Sequence, residues 1–434
     1  MSSAYRAYVL FILVVVYTFN FIDRVIVAIL AEPIKLELGL TDTQLGLMSG
    51  TAFAIFYTLL GIPIARWADR GNRTWIMTAA LALWSGFTAL CGQAQSFVQL
   101  LFARMGVGVG EAGGVAPAYA LVSDYFPPHQ RARALAVFSF GIPIGSGLGN
   151  LFGGLLASAV DWRTAFVVVG LSGLVLAPVF KLTVREPVRG GLDKAVAPGT
   201  SSTFRDVLRA VSHKPSFWLM AFGASCASIL GYGLLFWLPS FFMRTHSLSL
   251  ADTSLLLGFG VAIFGSLGIW LGGWGADRFG ARYRGAYAWF PALLLACNVP
   301  FVVTGALAPS LSVAILILAV PVTLTAVWTG PILAAVQHVV VPGMRATASA
   351  IFLFVNNLIG IGGGTFLVGF LSDTLIPRYG STESLRYALA LASVFHILSA
   401  ALFFLASRNL ARDWEGGSAP QAPAIAPHAI PAKA

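Results

Sequence analysis

The sequence predicts an all-α polytopic membrane protein whose twelve spanning helices form two parallel repeats of six. Three observations carry this prediction. Apolar runs long enough to span recur along almost the whole chain. Of the 434 residues 57% are hydrophobic and only 10% charged, against about 25% charged in an ordinary soluble domain. Two loop motifs also recur at nearly the same interval. A helix needs roughly 20 apolar residues to cross about 30 Å of hydrocarbon, so the bilayer is the solvent that this composition suits.

The formal charge of +10 could indicate nucleic acid or anionic lipid, but the basic residues sit between the apolar runs rather than in one patch. No nucleic-acid partner is expected, whereas membrane lipids are. Cys91, Cys226 and Cys297 each lie inside an apolar run without CxxC spacing or a histidine cluster. Disulfide, metal and cofactor sites are therefore not expected, and the three cysteines read as small packing residues. The first apolar run carries Asn20, Asp23 and Arg24 and lacks a cleavage site, so it reads as a retained helix rather than a signal peptide.

Taken in order, the runs place spans at residues 8–30, 44–66, 74–94, 97–125, 132–155 and 164–182, and again at 216–243, 251–273, 287–307, 311–340, 346–371 and 385–406. Residues 1–183 thus form one six-helix bundle and 216–407 another. The polar, basic segment 184–215 is a linker on the membrane surface with an amphipathic stretch at 204–211, and 408–434 is a disordered tail, rich in Pro and Ala from 415 onward. Lys and Arg crowd one set of alternate loops, while the opposite set holds only Lys35, Arg163, Arg244, Arg378 and Arg386. Short cytoplasmic loops retain positive charge, which puts the linker and both termini in the cytoplasm.

The repeat is read from two motif pairs. Residues 65–73 read ARWADRGNR after the second span, and 273–282 read GWGADRFGAR after the eighth, with 208 residues between Asp69 and Asp277. Before the fifth span 128–134 read PHQRARA, and before the eleventh 342–348 read PGMRATA, with 214 residues between Arg131 and Arg345. Two independent pairs at nearly one offset make the halves copies in the same orientation. Parallel repeats imply a central cavity and rocking of one half against the other.

Through the doubled Asp-Arg loop the chain resembles the major facilitator superfamily over all twelve helices. The first copy departs from the family pattern, with Ala65 where Gly is usual and the downstream Gly displaced to Gly71. The resemblance implies a gate in which, when the cytoplasmic side is closed, Asp69 caps the start of the eleventh span and Asp277 that of the fifth, with Arg70, Arg278, Arg131 and Arg345 beside them. A carboxylate at a helix N-terminus gains about 0.3–1 kcal/mol, enough to bias such a gate.

Charges inside a membrane are costly and usually face a bundle interior or a watery cavity. Four stand well inside the spans: Asp23, Arg24, Arg104 and Glu111. A rise of 1.5 Å per residue puts Asp23 and Arg104 at one depth, about 10 Å from the outer end, and Glu111 about two turns deeper on the face of Arg104. Arg24 diverges from Asp23 by about 100°, so Asp23 is expected to turn inward toward Arg104. Burial favours a neutral carboxyl and a nearby arginine favours an ionised one, so a carboxylate that loses and regains arginine can load and release a proton. Asp23 and Glu111 are the proton-coupling candidates, with Arg104 between them holding an anionic substrate. The same residues would also serve as a permanent structural ion pair.

The second half offers no charge at that depth but supplies Tyr232, Phe236, Trp237, Trp328, Asn356 and Asn357. Such a wall suits a ligand with an ionic head and an apolar body, although each aromatic also reads as packing. The glycines of 106–113 and the series Gly141, Gly145, Gly149 and Gly153 read as packing stripes rather than a dinucleotide fingerprint, because no strand precedes them. His338 and His396 read as packing histidines.

A closer resemblance lies in NFIDR at 20–24, GEAGG at 110–114 and SDYFPPHQRARA at 123–134. These are similar to the spinster branch of the superfamily, whose animal members move sphingosine 1-phosphate or lysophospholipids. That implies a proton-coupled, alternating-access transporter of a lysolipid- or sphingolipid-like amphiphile, monomeric and without cofactor. The compact loops point to a bacterial inner membrane. A symporter of small organic anions is the alternative, since NxxDR also occurs there. A membrane-embedded lipid enzyme is a remote third, because no HExxH, histidine box or nucleophile-base pair is present.

Overall fold

The computed structural model describes residues 2–189 and 203–415; the rest of the linker and the segment 416–434, where a disordered tail is expected, lie outside the described residues. In the first half α1 is Ser3–Ile29, α3 is Arg73–Cys91 and α6 is Trp162–Thr183. Helix α2 starts at Asp42–Gly46, passes through a π-helical turn at Leu47–Ala52 and continues as Phe53–Arg70. Helix α4 is split into Phe97–Glu111 and Val115–Tyr125, and α5 into Pro128–Ser139 and Gly141–Ala159.

In the second half α7 is Pro215–His246, α8 is Leu250–Gly280 and α9 is Ala286–Ala306. Helix α10 is Leu311–Leu324 plus Thr329–His338. Helix α11 runs from Arg345–Asn356 through a π-turn at Asn357–Ile361 into Gly362–Ala392, which bends at Gly380 (φ 75°). Beyond that bend α12 continues into Val394–Asp413. Ten stretches are long and apolar enough to cross a bilayer. Twelve spans result because one stretch, Arg345–Asp413, holds both α11 and α12, and because the broken α4 adds another.

The halves repeat in detail. The break after Glu111 in α4 recurs after Leu324 in α10, 213 residues on. Arg163 at the start of α6 donates to the carbonyls of Gly92 and Ala94 beyond α3, and Arg386 in α12 donates to those of Ala306 and Ala308 at the end of α9. Both arginines satisfy carbonyls that a helix C-terminus leaves without partners.

The glycine series of α5 packs on α1 as the spacing predicts. A methyl at Gly149 would stand 3.1 Å from the Ile22 backbone, and one at Gly153 2.8 Å from the Ile26 side chain. Gly147 sits on another face of α5, where a methyl would meet the Gly258 carbonyl of α8 at 2.8 Å. Helix α5 thus carries two glycine contacts, one inside its half and one across the interface, each allowing close backbone approach.

Two differences from expectation have local causes. Residues 408–413 belong to α12 rather than to a tail, because the Asp413 carboxylate accepts from Ser216 N–H at the start of α7 (3.0 Å). Beyond it Trp414 stacks on His338 and Glu415 pairs with Lys214 (2.5 Å). The linker helix Phe204–Ser212 carries a Thr203/Asp206 capping box and buries Val207 and Val211 against α7 and the start of α11. It therefore rides on the second half, with Phe204 and Leu208 exposed.

Candidate functional site

The four intramembrane charges come together in the first half, with a partner for Glu111 other than the one expected. Arg24 Nε donates to Glu111 Oε2 at 2.6 Å; the Glu111 side chain is fully buried, while that of Arg24 is 14% exposed. The Arg24 guanidinium lies 4.6 Å from the Tyr57 ring centroid, 5.1 Å from that of Phe21 and 5.2 Å from that of Phe53, a cation held among aromatic faces. Arg104 is buried behind this box and donates to the backbone carbonyl of Asp23 at 3.2 Å. The Asp23 carboxyl turns into the half toward Arg104 and Thr88.

Glu111 thus pairs with Arg24 in place of Arg104. The 100° between adjacent residues that sends Asp23 one way sends Arg24 another, to where the end of the first α4 segment presents Glu111. Of these two cations, Arg24 and Arg104, Arg24 keeps exposed surface while Arg104 is buried, and the spacing alone gives Arg24 no role. Its adjacency to Asp23 was the available signal.

Of the second-half wall, Tyr232 reaches the box, lying near Arg24 and Tyr57 from α7. The others pack within their own half. Trp237 is fully buried and donates Nε1 to the Thr365 carbonyl (2.9 Å), tying α7 to α11, with Phe236 edge-on against its ring. Trp328 belongs to a core cluster with Ile332, Val336 and Phe352. Asn356 accepts from Ser228 Oγ at 2.9 Å and donates toward Asn357. His396 is buried against Asn298 (3.2 Å) and His338 stacks on Trp414, so both histidines sit in packed settings.

A second group was not anticipated. At the end opposite to Ser3 and Asp413, Arg244 of α7 forks onto Asp42 of α2, with two contacts of 2.8 Å, and its Nε donates to Glu32 at 2.7 Å. Asp42 also accepts from Lys35 (2.6 Å) and from Ser372 Oγ of α11 (2.7 Å). The Asp373 carboxylate accepts from the Asp42 and Thr43 N–H groups, capping α2 from the other half. Deeper in, Thr51 Oγ1 donates to Gly362 O (2.6 Å) and Thr365 Oγ1 to Gly46 O (2.8 Å), a reciprocal pair between the two π-turn regions. This far end is sealed across the halves. In sequence these residues look like ordinary loop charges and small polar positions.

The terminal end differs. Arg73 pairs with Asp124 of the first half (2.5 Å) and with Glu186 at the start of the linker (2.8 Å), and Lys214 with Glu415 at the second half. Arg244 forms ion pairs that cross between the halves. Asp277 and Arg278 are exposed, and Asp277 makes no hydrogen bond among the described residues, so the cap expected on α5 is not formed. Arg131 donates to the Phe126 carbonyl (3.0 Å) between α4 and α5, Arg70 is exposed, and Arg345 Nε is buried without a hydrogen-bond partner. The Asp69 side chain lies outside what the structure describes.

The sequence profile of the Major Facilitator Superfamily matches residues 13–365. The chain belongs to this family. It is 38% identical to an MFS-type efflux pump of Mycolicibacterium smegmatis over 404 residues, covering 93% of this chain and 92% of that protein. It is 29% identical to human protein spinster homolog 1 over 430 residues, 93% of this chain and 81% of that one. A crystal structure of a bacterial homolog of the human lysosomal transporter spinster, inward-facing and unoccupied, superposes with a TM-score of 0.90 at 32% identity over 96% of this chain and all of that one. The same homolog in its occupied inward-facing form gives 0.85. The chain is an integral membrane transporter of the spinster type, not an enzyme.

Proposed function

We propose that this protein works by proton-coupled alternating access, moving an amphipathic, lysolipid- or sphingolipid-like anion. Arg24 carries the reading: a mostly buried cation in an aromatic box, paired with a buried carboxylate and near Tyr232 of the other half. An anionic head that takes Arg24 must displace Glu111, and a buried carboxylate losing its arginine takes up a proton more readily. Substrate binding and proton occupancy then compete for one guanidinium. The far seal and the unformed Asp277 cap support a cavity open at the terminal end. The basic loops support that end as cytoplasmic, in a bacterial inner membrane, and the name of the mycobacterial relative favours export. The six-helix halves 1–183 and 216–407 would rock as units, as a monomer.

The test is purified protein in liposomes, with pH-gradient-driven movement of a lysophospholipid measured beside a dicarboxylate and beside an assay for chemical turnover. Lysolipid movement that collapses with the gradient is the expected result. Movement of the dicarboxylate alone would replace the substrate class with small organic anions, and movement indifferent to the gradient would remove proton coupling.

A further inference from the structure

A small chamber lies inside the first half, on the terminal side of Glu111. Its lining includes Tyr17 and Asn20 of α1, Met77 and Trp84 of α3, Gly114 of α4 and Phe138 of α5. It leaves ≈ 10 Å³ for the centre of a water-sized sphere, room for a single molecule. Most of the wall is apolar, but Asn20 (2% exposed) and Trp84 (1%) bring polar atoms to it. Asn20 Oδ1, Asn20 Nδ2 and Trp84 Nε1 are all buried without a hydrogen-bond partner, as is Glu111 Oε1. A buried polar atom left unpaired costs about 1–3 kcal/mol, and Asn20 and Trp84, which both line the chamber, can share one partner there.

The chamber adjoins the carboxylate. The Asn20 side chain lies beside Glu111. Trp84 packs on the α4 glycines either side of Glu111: a methyl at Gly110 would stand 2.5 Å from Trp84 N, and one at Gly114 3.5 Å from the Trp84 ring.

We propose that this chamber is a hydration site holding one water on the Asn20 amide and the Trp84 indole N–H. Together with Asn20, that water supplies the hydrogen bonds that Glu111 needs when Arg24 leaves it. Asn20 and Trp84 are then positioning residues on the side of Glu111 away from the substrate. The proposal rests on the proton-coupling reading above. The other groups facing this region are Arg24, Asp23 and Tyr17 of α1, Tyr57 of α2, Cys91 of α3, Arg104 and Tyr119 of α4 and Tyr232 of α7. Arg24 is the one ion-paired with Glu111. A donor set that persists after Arg24 departs favours the ionised carboxylate, so its removal moves the pH dependence.

The experiment has two arms. In a high-resolution map of the full-length protein, one ordered water is expected within hydrogen-bond distance of both Asn20 and Trp84 Nε1; a dry chamber overturns the proposal whatever the variants do. In liposomes, Asn20→Leu is expected to move the pH midpoint of lysolipid transport upward by about one unit, a tenfold change in proton concentration. Trp84→Phe, which keeps the ring packing, should move it the same way by less. Wild-type midpoints in both variants would overturn the role. Should wild type itself show no pH dependence, the proton-coupling reading fails, while the map still decides the water.

Discussion

Replacing Arg244 by alanine is expected to open the far end. Its guanidinium makes two 2.8 Å contacts to Asp42 and one of 2.7 Å to Glu32, with the Arg244 side chain 7% exposed and that of Asp42 fully buried. Removing one partner of such a pair costs about 3–5 kcal/mol, because the other charge is left buried. Lys35 and Ser372 remain on Asp42, so the lower end, about 3 kcal/mol, applies. The loss falls on the far-closed state alone, since Arg244 and Asp42 belong to different halves and would be hydrated once separated. At about 1.4 kcal/mol per decade the closed-to-open ratio falls roughly a hundredfold. Distances between spin labels on the α1–α2 and α7–α8 connections, in nanodiscs, read this directly. Arg163→Ala serves as a control, because its pair with Glu37 lies within the first half. Wild-type distance distributions in both Arg244→Ala and Asp42→Asn would show that apolar contact of α2 with α11 sets the seal, and the reasoning would be wrong.

Arg24→Lys should lower lysolipid transport at least about tenfold, since a point charge does not reproduce a planar fork among aromatic faces; Arg104→Lys should impair it too, and full activity in Arg24→Ala would exclude Arg24 from recognition. Asp23→Asn and Glu111→Gln are each expected to leave the fold intact and flatten the pH dependence of interhelical distances, and a double variant with the wild-type response would end that assignment. Asp277→Asn should raise the terminal-open population, read by labels on the terminal ends of α5 and α8, with no change counting against the gate. Hydrogen bonds from Trp162 and Arg163 hold the exposed Glu37 carboxyl below its ordinary value. Its stabilising contribution is therefore present above the ordinary carboxylate range and lost as pH falls through the depressed value. Glu37→Gln should lower Tm at neutral pH and converge with wild type in acid; a difference independent of pH would refute this.

The spans and the repeat were legible because hydropathy and motif spacing are local signals that the bilayer enforces everywhere. The glycine stripe of α5 was legible for the same reason, as a period of four on one helix. Partner choice was not. Asp23 and Arg24 are neighbours in sequence, and deciding which one meets Glu111 requires knowing which face of α1 looks into the cavity. The seal was hidden for a different reason: Asp42 and Arg244 are 202 residues apart and each, alone, reads as a charge at a span end. Trp237 and Trp328 read as wall residues because an aromatic in a membrane helix carries no mark of whether it faces a cavity or a neighbouring helix. The extra turn of α12 depended on Asp413 finding Ser216, a contact without local periodicity.

The chemistry of each interface between the halves matches what that interface must do. Gly147 and Gly258, in mid-membrane, bring bare backbone together, and such a contact can slide or part without stranding a polar group. The far end must open to water, and there the halves are held by Asp42, Arg244, Glu32 and Asp373, groups that hydration stabilises when they separate. A seal of that kind is tight while dry and costs little to break once wet, because exposed ion pairs are worth only about 0–1 kcal/mol. The charges of Arg24 and Glu111 follow neither pattern: they are kept inside one half, and the repeat places apolar Leu324 where the second half would carry its counterpart to Glu111. Breaking the pseudo-symmetry at that position confines the carboxylate proposed to take up the proton to a single half, while Tyr232 of the other half lies near its arginine. In the proposed mechanism, rocking would move Tyr232 relative to Arg24, and so convert a motion between halves into a change in how firmly Arg24 holds Glu111.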